Sequence, residues 1–198
     1  LNRNNSITVQ VVSKEGGFKE GVAVAVYKGN GTEWSIVKRA QTKGPQGIAR
    51  FGNMPQLINK GSMGGTSLMG VGFDFPVSND EREIVLFDQN KLPTEPIKLK
   101  IPQTGQVEIY LKNEEGKTLQ EDAWAYLPRS TNDRIPDPHE ERETRLPLAV
   151  PAYRGKITFP HVGLGLQLKV EIFISGRVKV VRAEFSSPSH DGETIKIS

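Results

Sequence analysis

Hydrolysis by an activated serine needs a hydroxyl, an imidazole and a carboxylate brought together, so the 3 histidines of this 198-residue chain bound that chemistry. His139 lies in a charged stretch, His161 in a Phe-Pro-His-Val run, and His190 in a Ser-Pro-Ser-His-Asp-Gly turn. Gly61-Ser-Met-Gly-Gly65 is not the Gly-x-Ser-x-Gly of a nucleophile elbow. No two histidines are closely spaced, which argues against a histidine metal site. With 0 cysteines, disulfides, zinc-thiolate sites and thiol catalysis are excluded. Calcium needs only oxygen ligands, for which Asn79-Asp80-Glu81 and the acids from Asp133 to Glu143 are candidates, yet neither has the spaced acid and glycine pattern of a binding loop. Both read as solvated turns. Neither Gly29-Asn-Gly31 nor Gly163-Leu-Gly165 continues as a phosphate-cradling loop must. No catalytic, cofactor-binding or metal residue is therefore assigned, and no cofactor is expected.

Sugar binding would rest on exposed aromatic rings, and only 7% of residues are aromatic. Trp34 follows a turn and is the candidate for exposure, with Tyr110 and Tyr153 behind it; Trp124 and Tyr126 read as core. Asn4-Asn-Ser and Asn30-Gly-Thr match the N-glycosylation pattern, which matters only in a eukaryotic secretory setting.

The elements that must position these groups announce themselves through an internal repeat. Ser6 to Tyr27 returns as Gln106 to Leu127 with no gap: Ile7, Val9 and Val11 fall on Val107, Ile109 and Leu111, Gly16 on Gly116, and Ala23 to Val26 on Ala123 to Tyr126. Each copy spells strand, turn, strand. A spacing near 100 selects two domains of sandwich size, 1–102 and 103–198, joined by Pro102-Gln-Thr-Gly105. Abundant Val, Ile and Thr with 20 Gly and 13 Pro point to short strands and turns, and helical periodicity is weak.

Ile7 to Val12 alternates apolar and polar residues as a half-buried strand does. Strands are expected next at Val22 to Tyr27, Trp34 to Arg39, around Ile48 to Phe51, Val71 to Phe75, Glu83 to Phe87 and Ile97 to Ile101. In the second copy Leu166, Leu168, Val170, Ile172 and Ile174 point one way, followed by Val178 to Phe185 and Thr194 to Ile197. Gly47 and Phe51 meet Gly155 and Phe159 at an offset of 108, so eight extra residues enter the second domain, within Pro128 to Pro147. Matching Ile97-Lys-Leu to Ile195-Lys-Ile at 98 gives the first domain ten back, placed in the Gly-rich Gln56 to Gly72, read as a mobile loop.

Gly47-Ile-Ala-Arg-Phe-Gly-Asn-Met-Pro55, after a Gly-Val-Ala-Val-Ala-Val strand, resembles the carboxypeptidase regulatory-like and transthyretin-like β-sandwiches. Gly155-Lys-Ile-Thr-Phe-Pro-His-Val-Gly163 matches less closely, and the resemblance covers about half of each domain. It implies seven-stranded Greek-key sandwiches used as accessory or structural modules. The collagen-adhesin B-type repeat shares a Gly-x-Ala-x-Phe step, but its Lys to Asn isopeptide bond needs an Asn in the last strand. Pro96 to Ile101 and Glu193 to Ser198 contain none, so no isopeptide bond is expected.

The expected fold is all-β, two tandem Greek-key (Ig-like or prealbumin-like) sandwiches. Net charge is +3, with 13 basic against 9 acidic side chains in 1–102 and 13 against 14 in 103–198, and no dense Lys/Arg stripe, so nucleic acid is not an expected partner. No apolar run reaches the roughly 18 residues of a membrane helix. The expectation is a non-catalytic segment of a larger secreted, periplasmic or cell-surface polypeptide, acting as spacer, adhesion or assembly module toward a protein or glycan. A carbohydrate-binding module of a larger enzyme is the alternative, and hydrolysis by the Asp133 to Glu143 loop a third.

Overall fold

The computed structural model describes residues 5–31, 34–59, 67–78, 81, 83–127, 150–174 and 180–198. The loop 128–147 with His139, the glycine run 61–65, and Asn79 with Asp80 lie outside the described residues. The chain divides into two compact units, Leu1–Asp74 with Arg82–Pro102 and Phe75–Glu81 with Gln103–Ser198.

In unit 1, β1 (Ile7–Val12) lies between β4 (Ile48–Phe51), antiparallel, and β7 (Ile97–Lys100), parallel. The second sheet runs β3 (Trp34–Gln41), β2 (Ala23–Gly29), β5 (Leu68–Phe73), β6 (Ile84–Phe87). Unit 2 repeats both. Its β8 (Thr104–Tyr110) sits between β11 (Lys156–Gly163) and β14 (Thr194–Ile197), and its second sheet runs β10 (Val150–Pro151), β9 (Ala123–Tyr126), β12 (Gln167–Ile174), β13 (Val180–Ser186). Among the described residues each unit holds seven strands in two sheets, and the protein is all-β with two Greek-key sandwiches. The first and last strands of each unit pair in parallel, which a hairpin cannot join, so the chain crosses to the second sheet and returns between them.

Period-2 patterning builds the cores. On β8, Val107 and Ile109 point inward, joined by Ile157, Phe159 and Val162 of β11, and the other sheet answers with Ala123, Ala125, Leu168, Val170 and Ile172. The alternation read on Leu166 to Ile174 is present as expected: the flanking Leu166 and Ile174 pack against this cluster. In unit 1, Ile7, Val9, Val11, Ala49, Phe51 and Leu99 are buried in the equivalent places. Strand β2 is different, since both its alternating sets, Val24 with Val26 and Ala25 with Tyr27, are buried. Both faces of that strand are covered. Tyr27 spans the small residues of β5: its hydroxyl donates to the Phe73 carbonyl at 2.6 Å, and a Cβ on Gly72 would lie 3.3 Å from its ring.

The turn after the first strand is the same in both units. Gly16 N donates to Ser13 O at 3.0 Å and Gly116 N to Asn113 O at 2.9 Å, with φ of 88° and 78°, while the Ser13 and Asn113 side chains accept from Gly17 N and Lys117 N.

Registers revise the offset arithmetic. Val24 pairs with Phe73 and Trp124 with Phe173, and Val9 pairs with Ile97 where Ile109 pairs with Ile197. The copies therefore return to an offset of 100 by the fifth strand and hold it to the last. Ile97 corresponds to Ile197 rather than Ile195, and unit 1 recovers eight residues instead of ten. They fall between Phe51 and Leu68, where unit 1 carries the helix α1 (Met54–Asn59), whereas unit 2 turns directly from Gly163 to Gln167. The expected mobile loop of Gln56 to Gly72 is thus helix at one end and strand at the other: Met54 is buried, Asn53 starts α1 with φ of 59°, and Leu68 to Phe73 form β5. The Val71 to Phe75 strand starts and ends earlier than expected, because Asp74 N donates the last bond, to Ala23 O at 3.0 Å.

Candidate functional site

Among the described residues, serine, histidine and carboxylate meet at one place, the turn before β14. The Ser189 hydroxyl lies 2.8 Å from His190 Nδ1, and Glu193 Oε2 accepts from Ser189 N at 2.6 Å, from Ser189 Oγ at 3.1 Å and from His190 N at 3.2 Å. A relay needs the acid on the imidazole nitrogen that the serine does not use. Here the carboxylate approaches the same Nδ1, at 3.7 Å, and binds the serine itself. These bonds, the Ser189 backbone N–H first and then that of His190, hold Glu193 below the usual glutamate range. The turn's work is to fasten the start of unit 2: Thr104 N donates to Asp191 Oδ1 at 2.9 Å, Gly192 N to Thr104 O at 2.9 Å and Gln106 N to Glu193 O at 2.7 Å. Gly105 lets the strands close, since a Cβ there would lie 2.4 Å from Pro188 Cβ. The cluster is a clamp.

A second group sits on the outer face of β8, where alternation places Gln106, Glu108 and Tyr110 together. Glu108 accepts from Tyr110 Oη at 2.7 Å, Gln106 Nε2 at 3.1 Å and Lys156 Nζ at 3.2 Å. The tyrosine bond, then the lysine, lowers the Glu108 pKa, and the same bond raises that of Tyr110. Proton transfer near neutrality needs groups poised close to the working pH. This coupling drives the two apart, fixing a carboxylate and a phenol. The equivalent face of unit 1 carries Thr8 and Gln10 beside Arg50 and Lys98, a cationic strip of few residues.

The third candidate is the outer face of the β10-β9-β12-β13 sheet. Trp124, expected in the core, is 40% exposed there. Its phase with Val24 holds, but the inward positions of β9 are taken by Ala123 and Ala125, so the indole is turned to the opposite face. Trp124 stands opposite Phe173 on one side and Pro151 on the other, and the next row holds Tyr126, Glu171 and Arg182. Tyr126 is buried as expected. Arg182 Nε donates to Glu171 Oε1 at 2.6 Å, with the carboxylate side chain 3% exposed and the arginine 75%. Lys169 and Glu184 pair beyond them at 2.7 Å. The face is therefore an aromatic row bordered by two neutral ion pairs. Trp34 is half-buried at the start of β3, whereas Tyr153 is 71% exposed beneath the Arg154 guanidinium, 5.2 Å from its ring.

Among the described residues no cluster of three His, Cys, Asp or Glu could hold a metal, and no helix is long and apolar enough to cross a membrane. Glu81 instead closes its own turn, accepting from the Ser78 hydroxyl at 3.1 Å. His161 lies against Phe75, ring centroids 5.8 Å apart.

These sites and sheets define a tandem β-sandwich protein. No family model matches the chain, and no curated protein matches it. Among solved structures it is similar to a streptococcal ancillary pilin (10% identity, 98% of this chain and 62% of that one, TM-score 0.32), the Bacillus anthracis TIE protein (14%, 97% and 32%, 0.30) and the shaft pilin SpaA of Lactobacillus rhamnosus GG (8%, 97% and 96%, 0.33). The chain thus spans less than two thirds of the first two.

Proposed function

We propose that this chain is a non-catalytic β-sandwich segment of a larger secreted or cell-surface protein, serving as spacer, adhesion or assembly module, with 1–102 and 103–198 as its domains. The observation that carries this reading is the geometry of Glu193: the carboxylate of the only described serine, histidine and acid cluster binds its own turn and the serine, not the far side of the imidazole. The Glu108 group is likewise held in fixed protonation states. The carboxypeptidase regulatory-like and transthyretin-like resemblance belongs to the same reading, as an accessory sandwich. The test is turnover by the purified chain against ester, peptide and glycoside panels. No rate above buffer is expected; a rate abolished by Ser189→Ala or Glu193→Gln overturns the proposal.

A second reading, an accessory carbohydrate-binding module, is favoured by the exposed Trp124 beside Phe173 and the Glu171–Arg182 pair. An indole offers a sugar's C–H face a flat apolar surface, and a planar ion pair offers its hydroxyls donors and acceptors. Calorimetry with oligosaccharides would show binding lost in Trp124→Ala and kept in Trp34→Ala; binding lost only in the latter would move the site, and none at all would end this reading.

A further inference from the structure

We infer that the bulged end of β11 is a docking site for a short apolar peptide, and that the chain fills it with its own residues 75–78. Among the described residues β11 is an edge strand, with β8 as its one strand neighbour. Its ladder is broken between Phe159 and Val162, where Pro160 and His161 face a single residue of β8, the pattern of a β-bulge at an edge. An edge left open invites pairing with another chain, and proteins cover such edges. Here the cover comes from the first half of the sequence. Asp74 N still bonds Ala23 O in unit 1, but from Phe75 the chain belongs to unit 2 until Glu81.

Three features make this contact a fitted one. Gly163 N donates to Pro76 O at 2.7 Å, turning an edge donor away from solvent, and Pro76 has no N–H of its own to satisfy. Phe75 and Val77 flank that carbonyl, and they are only 6% and 5% exposed. Phe75 meets the bulge residue His161, ring centroids 5.8 Å apart at 40°. The approach is close enough to dictate glycine: a Cβ at position 163 would lie 3.0 Å from both Pro76 O and Val77 Cα. Beyond it, Glu81 N donates to Ser78 O at 3.1 Å and closes the segment. The site accepts one backbone carbonyl between two apolar side chains, and the covalent tether keeps it filled at an effective concentration of order millimolar.

The experiment is hydrogen exchange on the full chain, comparing wild type with Val77→Asp and with Gly163→Val. Each variant should raise exchange at least tenfold in β11 and the start of β8 while β2 and β5 of unit 1 keep their protection. A synthetic peptide of the wild-type 74–81 sequence at millimolar concentration should restore protection of β11 in Val77→Asp, and fail to do so in Gly163→Val. Faster exchange in β2 and β5 equal to or above that in β11, no change in β11, or no rescue by the peptide would each overturn the inference.

Discussion

Gly47 and Gly155 occupy the same place in the two sandwiches, and replacing them with alanine should cost far more than replacing Gly16 and Gly116. All four have positive φ, 56°, 71°, 88° and 78° in that order, so each pays a left-handed backbone penalty of about 1 kcal/mol with a side chain. Alanine also stiffens the unfolded chain by about 0.4–1 kcal/mol at every one of them, a contribution that cancels in the comparison. What differs is space. A Cβ at Gly16 or Gly116 meets nothing within 4 Å. At Gly47 it would lie 2.6 Å from Lys19 O, 2.9 Å from Lys19 N and 2.9 Å from Val11 O, all backbone. Those atoms already bond each other, Lys19 N to Val11 O at 3.0 Å, while Val11 N donates to Gly47 O at 3.0 Å, so β1 and its return turn must part to admit the methyl. At Gly155 the tightest neighbour, at 2.4 Å, is Thr118 Cγ2, which can rotate, and the Leu119 carbonyl follows at 2.8 Å. Overpacking costs about 1–3 kcal/mol. The expected order of loss is Gly47→Ala, then Gly155→Ala, then Gly16→Ala and Gly116→Ala together. The first should exceed the last pair by about 2 kcal/mol, or roughly 8–16 °C in the melting of a sandwich of this size. Calorimetry of the full chain reads this directly. If Gly47→Ala and Gly16→Ala melt within about 3 °C of each other, close backbone approach is not what selects these glycines.

Other outcomes follow from single contacts. Arg182→Met should destabilise by about 2 kcal/mol in urea unfolding, since it strands the buried Glu171 carboxylate, and adding Glu171→Gln should recover part of the loss. Tyr27→Phe should cost about 1 kcal/mol by removing the 2.6 Å bond to the Phe73 carbonyl. The Glu193 pKa lies below its ordinary 4.5, so its stabilisation is present above pH 4.5 and is lost as pH falls through the folded value. Glu193→Gln should therefore melt lower at pH 7 and show a shallower acid limb. Tyr110 is raised above 10.0, so its contribution is present below pH 10 and disappears as pH rises through the folded value, and Tyr110→Phe should flatten the alkaline limb of the melting profile.

The polar clusters are only half legible in the sequence. His190 stands out in its turn, but its serine and glutamate count only through which nitrogen they approach, and spacing does not encode that. Glu108 and Tyr110 share a face by simple alternation, a signal present in Gln-Val-Glu-Ile-Tyr, whereas Lys156 arrives from a strand 48 residues away. The repeat puts Trp124 in phase with Val24 and so in the core; the phase holds, but β2 is covered on both faces whereas on β9 the Trp124 position is exposed. Matching Ile97-Lys-Leu to Ile195-Lys-Ile sets the last strands two residues out, since the two tripeptides look alike in either register and only pairing with the first strand distinguishes them.

The sequence by itself determined the all-β class, the strand–turn–strand repeat and the glycines and apolar alternation that go with it, because backbone sterics and a side-chain period of two act between neighbours. Only the tertiary structure decided the order of strands in each sheet, which face of β9 meets solvent, and the allegiance of Phe75 to Glu81. Those depend on hydrogen-bond partners and cover supplied by residues tens of positions away, such as Gly163 for Pro76, and no local pattern records them.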